Sequence, residues 1–147
     1  MRVTFGDHYL SLDLPEGLDY GFRGNGAMMA YVAHNDALNL HVSTITGIPK
    51  DPSHTNLAVE RVAQEAREKS LVLNRIGEDK VFYRYEQSGQ WEQYHQRLYT
   101  WIVGSGVRQI IFTASCLVDH PDFEQVRHVV DLVPTMIESV RPAESVA

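Results

Sequence analysis

The chain has 147 residues, the size of one ordinary domain, and 44% of them are apolar against 22% charged. This balance is typical of globular proteins and excludes a disordered or fibrous chain. The formal net charge of −6 argues against a nucleic-acid surface, because such surfaces cluster Lys and Arg against phosphates.

The single cysteine and the N-terminal stretch bear on the compartment. Cys116 cannot form an internal disulfide, which is compatible with the cytoplasm. The stretch MRVTFGDHYLSLDLPEG lacks the apolar run of a secretory signal or a transmembrane segment. We therefore expect a cytoplasmic protein without membrane contact.

The first part of the chain predicts three strands. Tyr9 to Leu14 alternates between apolar and polar residues, as a half-buried strand does, and stops at Pro15. The Gly-rich stretch FRGNGAM, Phe22 to Met28, is predicted to be a flexible loop, since it matches no phosphate-binding motif. Ala27–Ala33 and Leu38–Ile45 then form a hairpin, whose turn would place His41 opposite Ala30.

A proline-containing connection, IPKDPSH, leads to an amphipathic helix. Its apolar side carries Val59, Val62, Ala63 and Ala66 at helical spacing. Ser53 or Thr55 is expected to cap its first turn.

Three long runs follow and predict a β-meander. They span Lys80–Gln87, Trp91–Val103 and Val107–Leu117, with turns expected at Ser88-Gly89 and Gly104-Ser105-Gly106. The third run is apolar on both sides and is therefore expected to be the central strand, with Cys116 facing inward.

A second helix is predicted to begin at Pro121. Apolar residues recur at helical spacing from Phe123 to Val140. Pro134 removes a backbone hydrogen bond within this stretch, so a kink or break is expected near residue 130. Residues 142–147 are expected to be a frayed tail of a single domain spanning 1–147.

The predicted element order is β, ββ, α, βββ, α. The simplest way to bury all the apolar stripes is one antiparallel sheet of about six strands covered by the two helices. The predicted fold class is therefore α+β.

This order resembles the PsbP/DcrB-like family, which shares the fold of the Ran-binding Mog-type proteins. The resemblance is carried by LSLDLPEGLDY before the first hairpin, and by IIFTASC followed by a helix ending in MIESVRP. It covers Phe5 to Pro142. Members of the family include a photosystem subunit, bacterial lipoproteins and cytoplasmic chaperones that accompany type VI secretion effectors. The resemblance implies a non-enzymatic, often dimeric, protein-binding scaffold, and it supplies no site residue.

Catalytic and metal chemistry find little support in the residue pattern. Cys116 shares strand parity with apolar neighbours, where burial disfavours the reactive thiolate. His120 precedes Pro121 and is expected to lie at a helix start without touching the sulfur. The seven histidines form no recognised zinc-binding spacing. No catalytic residue, metal or cofactor is predicted.

The aromatic-rich segment YRYEQSGQWEQYHQRLYTW, Tyr83 to Trp101, has two readings. Tyr, Trp and Arg on a broad sheet are typical of a contact surface, for which Tyr85, Arg97, Tyr99 and Trp101 are the candidate protein-binding residues. Alternatively, one aromatic row is helix-covered core and the other an ordinary exposed face.

Two functional hypotheses follow from these observations. The first is a bacterial effector chaperone or toxin-immunity protein that binds a secretion effector or toxin, and that is itself a possible homodimer. An acidic chain suits a basic toxin partner. The second is a small-ligand carrier with a pocket between sheet and helices, lined by Met28, Met29, Trp91 and Tyr94.

Overall fold

The structure is a computed structural model and describes residues 1–6 and 9–143. Within these residues, two α-helices accompany a seven-stranded antiparallel sheet and a three-stranded one, which confirms the α+β class. The helices are α1 (Leu57–Glu68) and α2 (Val129–Ser139). The strands, β1 to β10 in chain order, are Arg2–Phe5, Leu10–Asp13, Asp19–Phe22, Met28–Tyr31, Leu38–Thr46, Asn74–Ile76, Lys80–Trp91, Tyr94–Ser105, Arg108–Leu117 and Arg141–Pro142.

The large sheet has the order β3-β4-β5-β9-β8-β7-β6. Strand β9 therefore occupies the middle position, as its two apolar sides predicted. It pairs with β5 along one edge and with β8 along the other, so that Ala114 lies between Leu40 and Tyr99. Every pairing in the sheet is antiparallel.

The main core lies on one side of this sheet, which we call the α2 side. Alternate residues of β9 (Ile110, Phe112, Ala114 and Cys116) are fully buried there. Helix α2 and the small sheet cover them with Met136, Ile137, Phe5 and Leu12. The small sheet has the order β1-β2-β10, so the first predicted strand does not belong to the main sheet.

The opposite side, which we call the α1 side, is covered only in part. Val62 and Ala66 of α1 pack on Val81, Tyr83 and Ile102 at one end of the sheet. The start of α1 is held by the backbone, because Ala58 N–H donates to the Gly106 carbonyl over 3.0 Å. The predicted side-chain cap is wrong: the cap position is Asn56, and no side-chain cap bond forms there.

Several predicted boundaries in the sheet are also wrong. Ser88 and Gly89 lie within β7, and the chain turns instead at Glu92 and Gln93. The stretch FRGNGAM is a tight hairpin turn between β3 and β4, where Arg23 N–H donates to Ala27 O. His41 lies opposite Met29 rather than Ala30, one residue away from the predicted register.

The C-terminal segment differs from prediction as well. A short 3-10 helix, Phe123–Gln125, and a turn precede α2, which begins at Val129 close to the expected break. Pro134 lies inside the continuous helix. Pro142 pairs with Leu10 in the small sheet, and so is not frayed, while residues 144–147 of the predicted tail lie outside the described residues.

Candidate functional site

The α1 side of the sheet beyond the helix is uncovered, and we call it the uncovered face. Strand alternation places side chains from five strands on it. Its residues are Met29, Tyr31, Asn39, His41, Tyr85, Gln87, Trp91, Tyr94, Gln96, Leu98, Thr113, Ser115 and Leu117. Most of them are half-buried. Tyr85 packs against the α1 cluster at the border of the face.

The uncovered face carries little charge. None of these thirteen residues is Lys, Arg, Asp or Glu, although the edge strand β3 brings Asp19 to the same side, opposite Tyr31. Two cations lie at its margin, since Arg23 is near His41 and the Lys69 ammonium lies 5.6 Å from the Tyr85 ring centroid. Depletion of charge together with aromatic residues is the compositional signature of the centre of a protein interface.

The β7–β8 hairpin extends the uncovered face beyond the core. The last six residues of β7, Glu86 to Trp91, are all exposed. The hairpin closes at Trp91, which pairs with Tyr94 across a two-residue turn where Glu92 has φ 53°. Trp91 is 57% exposed and is the largest of the exposed hydrophobic side chains among the described residues.

A cavity of about 580 Å³ opens at this end of the uncovered face, and we call it the Trp91 cleft. Strands β5, β7, β8 and β9 and the loops beside them form its walls. It is lined by Asp36, Asn39, Trp91, Glu92, Gln93, Tyr94, Gln96, Ser115, Leu117 and His120.

Local hydrogen bonds hold the walls of the Trp91 cleft in place. His120 Nδ1 accepts the Asp122 N–H over 3.0 Å, and its ring lies 4.9 Å from the Tyr94 ring. The His95 N–H donates to Asp119 Oδ1 over 2.8 Å, which ties the start of β8 to the loop after β9. The Gln96 amide donates to Ser115 Oγ over 2.7 Å on the cleft floor.

Buried Asn35 fixes the turn that carries Asp36. Its side-chain oxygen accepts the Ala37 N–H over 2.9 Å, and its amide donates to the Asp122 carbonyl over 3.0 Å. The Leu117 N–H in turn donates to Ala37 O over 2.8 Å. Asp36 is therefore held at the cleft between two anchored neighbours.

The four candidate protein-binding residues do not form one surface. Trp101 is 2% exposed in the main core, so its assignment as a contact residue is corrected: strand alternation turns it toward α2. Tyr85 lies on the other side of the sheet, stacked on Tyr83 at a centroid distance of 6.4 Å. Arg97 and Tyr99 share a face with Trp101 but are accessible.

Arg97 and Tyr99 line a second, charged groove of about 390 Å³ between β7, β8 and α2. The Tyr99 hydroxyl beside Arg97 raises the pKa of the guanidinium. The Arg84 guanidinium lies 4.8 Å from the Tyr99 ring centroid and pairs with Glu86 at 2.9 Å. Cations and carboxylates are equal in number in the lining of this groove, and some of them form ion pairs with each other.

The four predicted ligand-pocket residues also do not line one pocket. Trp91 and Tyr94 both line the Trp91 cleft, but fully buried Met28 points to the α2 side, where it cannot reach the cleft. Met29 is on the uncovered face, opposite His41, away from the cleft lining. The cleft also lies on the open sheet end rather than between sheet and helices, which corrects the predicted position.

Cys116 and His120 face different sides of the sheet. Cys116 is fully buried in the main core, as predicted, whereas His120 lines the cleft. Burial raises the pKa of the thiol to about 12, and nearby Arg97 offsets this shift only in part. The geometry therefore does not form a nucleophile–base pair.

Residues 1–6 and 9–143 contain neither a cluster of metal ligands nor a membrane-spanning helix. No three His, Cys, Asp or Glu side chains lie close enough to hold a metal ion within these ranges. No helix among the same residues is long and apolar enough to cross a membrane.

Sequence reasoning missed several cleft residues. Asn39, Ser115 and Leu117 reach the cleft only because β5 and β9 are neighbours across a long sequence separation. The available signal was the alternation of β8, which places Tyr94, Gln96 and Leu98 on one face.

The fold defines a class that is shared with solved bacterial proteins. A Bacteroides thetaiotaomicron VPI-5482 protein matches 98% of this chain with a TM-score of 0.72 and 15% identity. This chain spans about half of that protein, 48% of its length. No protein family matched the chain, and no curated protein matched it.

Two further solved structures can be named. LpqN, involved in cell envelope biogenesis of Mycobacterium tuberculosis, matches 98% of this chain and 90% of its own, with a TM-score of 0.55 and 12% identity. PsbP from Synechocystis sp. PCC 6803 matches 97% of this chain and 91% of its own, but its TM-score is 0.40 at 11% identity. At these identities the first two matches show a common fold, and the third adds no weight.

Proposed function

We propose that the protein is a non-enzymatic protein-binding module that uses the uncovered face and the Trp91 cleft. The observation that carries this proposal is Trp91, exposed at the tip of a projecting hairpin beside a sheet face to which β4, β5, β7, β8 and β9 contribute no Lys, Arg, Asp or Glu. Large aromatic side chains in such surroundings are frequent binding hot spots.

The cleft suits a macromolecular partner better than a small apolar ligand. Small-molecule sites are mostly enclosed and lined by apolar side chains. Here four of the ten lining residues are aromatic or aliphatic, namely Trp91, Tyr94, His120 and Leu117, and the cleft opens onto a broad face. An occupant that also contacts the hairpin and the sheet would bury more surface than a small ligand can.

More specifically, we propose that the protein is a cytoplasmic effector chaperone or toxin-immunity protein that can dimerise. The sequence resemblance to the PsbP/DcrB-like family supports this role, because the family includes such chaperones. The net charge of −6 is complementary to a basic toxin or effector.

The test is affinity purification of the tagged protein from its native cells, with stoichiometry measured by mass spectrometry. We expect a protein partner at stoichiometric yield with the unmodified chain and its loss with Trp91→Ala. Arg97→Ala is the matched control, since Arg97 is exposed on the opposite side of the sheet. Circular dichroism checks that both variants fold.

Three results would contradict the proposal. Absence of any stoichiometric protein partner argues against a binding module. Retention of the partner by Trp91→Ala together with loss by Arg97→Ala moves the site to the charged groove. A bound small molecule in native mass spectrometry, lost in Trp91→Ala, favours the ligand-carrier alternative.

A further inference from the structure

We propose that the Trp91 cleft receives an arginine or lysine side chain of the partner protein, an inference that rests on the proposed function. Aromatic rings and carboxylates line the cleft together. Trp91, Tyr94 and His120 supply the rings, while Asp36 and Glu92 supply the negative charge.

The charges of the cleft have one sign. No Lys or Arg lines it, and neither Asp36 nor Glu92 forms an ion pair with any described residue. In the charged groove on the α2 side, by contrast, Arg84 pairs with Glu86 and Arg127 with Glu124. The cleft carboxylates therefore remain available to an external cation.

The aromatic rings favour the same cation. A guanidinium or ammonium over the face of Trp or Tyr is attracted by the ring electrons, most strongly over Trp. The protein already contains this contact elsewhere, since Arg84 lies 5.3 Å from the Trp101 ring centroid. Trp91 is the exposed counterpart, and no described cation lies over its ring.

The cleft floor adds hydrogen-bond acceptors. The Gln96 amide donates to Ser115 Oγ, and its carbonyl oxygen can accept from an incoming N–H group. Asn39 and Gln93 bring further amide oxygens into the lining. A planar guanidinium with five N–H donors matches such a set of acceptors.

Hydrogen bonds place the backbone of both acidic residues at the cleft. Anchored Asn35 and Ala37 flank Asp36, and the Gln90 amide donates to the Glu92 carbonyl over 3.2 Å. The two carboxylates themselves are exposed and can orient toward an incoming cation.

The test uses the purified protein and two blocked tripeptides that differ in one group. Acetyl-Gly-Arg-Gly-amide carries the cation, and acetyl-Gly-citrulline-Gly-amide is its neutral near-isostere. Binding is followed at low salt by NMR, through the Trp91 indole N–H and the Gln96 side-chain amide. We expect saturable shifts with the arginine peptide and about tenfold weaker binding of the citrulline peptide.

Two charge variants distinguish the effect of the cleft carboxylates on arginine binding from the effect of the protein's net charge. Asp36→Asn/Glu92→Gln is expected to weaken the arginine peptide to the level of the citrulline peptide. Glu16→Gln/Glu138→Gln is the control, because it removes the same number of negative charges at exposed positions outside the cleft lining. This control should leave arginine binding unchanged.

Equal binding of both peptides, no saturable shift with either, or an unchanged affinity of the Asp36→Asn/Glu92→Gln variant would overturn the inference. A failure of this kind leaves the proposed function standing if Trp91→Ala still loses its protein partner. Conversely, arginine binding without any protein partner would show a cation site without the proposed module.

Discussion

The two tryptophans of the chain occupy opposite environments on neighbouring strands. Trp101 in β8 points to the α2 side and is fully packed in the main core. Trp91 at the end of β7 points to the uncovered face and is largely exposed. Trp101 stabilises the folded protein through burial, whereas removal of the Trp91 side chain costs the folded protein little stability.

We therefore expect different effects from the same substitution at these two positions. Trp101→Ala should lower the free energy of unfolding by about 3–5 kcal/mol, because it leaves a large cavity. Trp91→Ala should change it by no more than about 0.5 kcal/mol. Urea unfolding followed by far-UV circular dichroism measures both, and a large loss with Trp91→Ala would show that the hairpin tip is packed.

His41 gives the uncovered face a dependence on pH. Burial, with Arg23 nearby as the second cause, lowers the pKa of His41 from its ordinary value of 6.5. Below pH 6.5 the unfolded chain therefore takes up a proton at this site before the folded protein does. The contribution to stability is complete above pH 6.5 and is lost as the pH falls toward the lowered pKa.

The free energy of unfolding should thus fall less steeply between pH 7 and pH 5 in His41→Gln than in the unmodified protein. His128→Gln, a change of an exposed histidine before α2, serves as the control. Parallel pH profiles for His41→Gln and the unmodified protein would contradict the assignment.

Helix α1 approaches β8 closely at Gly104. A β-carbon at this position would lie 2.7 Å from the Ala58 carbonyl oxygen and 2.9 Å from Val59 Cα. These are backbone atoms, so they cannot move aside as the end of a side chain can. Together with the bond from Ala58 N–H to Gly106 O, this contact seats the first turn of α1 on the sheet.

Gly104→Ala is therefore expected to lower the free energy of unfolding by about 1–3 kcal/mol through overpacking. Gly89→Ala is the matched control in β7, since its β-carbon would meet only Gln96 Oε1 at 4.0 Å. The control should leave stability unchanged or raise it by up to about 1 kcal/mol. Thermal and urea unfolding compare the two, and equal losses would mean that α1 is not seated through Gly104.

Segments with a clear apolar periodicity could be predicted from the sequence, whereas segments without one could not. The alternation of β9 and the helical stripe of α1 identified both elements, because many residues repeat one pattern. Strand β3 shows no such pattern, because none of its four residues, DYGF, is buried. The start of α2 was misplaced because the turns after the 3-10 helix continue the apolar stripe that a longer helix would show.

The candidate site was predictable only where it is local in sequence. Trp91 and Tyr94 were predicted together with Met28 and Met29 to line one pocket, and only the first two line the Trp91 cleft, because they lie three residues apart in one hairpin. Asp36 and Ser115 join them through the pairing of β5 with β9, and no periodic pattern records such a partner. Alternation also fixes which residues share a strand face, but not which face is covered, and this is why Trp101 was assigned to a surface.

At the scale of the whole molecule, the large sheet is covered unevenly against solvent. The α2 side is closed, the α1 side is half open, and β3 and β6 form the edges. Opening free energies follow burial and hydrogen bonding and are lowest at exposed ends.

Native-state hydrogen exchange should therefore be slowest in β9 and the adjacent parts of β5 and β8. It should be fastest in β3, β6 and the hairpin tip from Gly89 to Tyr94. Mass spectrometry of the exchanged protein measures this order. Strong protection of the hairpin tip in the isolated protein would indicate that the tip is already covered, as it would be in a dimer.

The central position of β9 bears on synthesis by the ribosome. The strands on either side of it, β3 to β5 and β6 to β8, are each complete before it along the chain, yet they meet only through it. A nascent chain that has released residues up to Ser105 thus holds two separate antiparallel ribbons with no shared core. They can join into one cooperative unit only after the residues of β9 have left the exit tunnel.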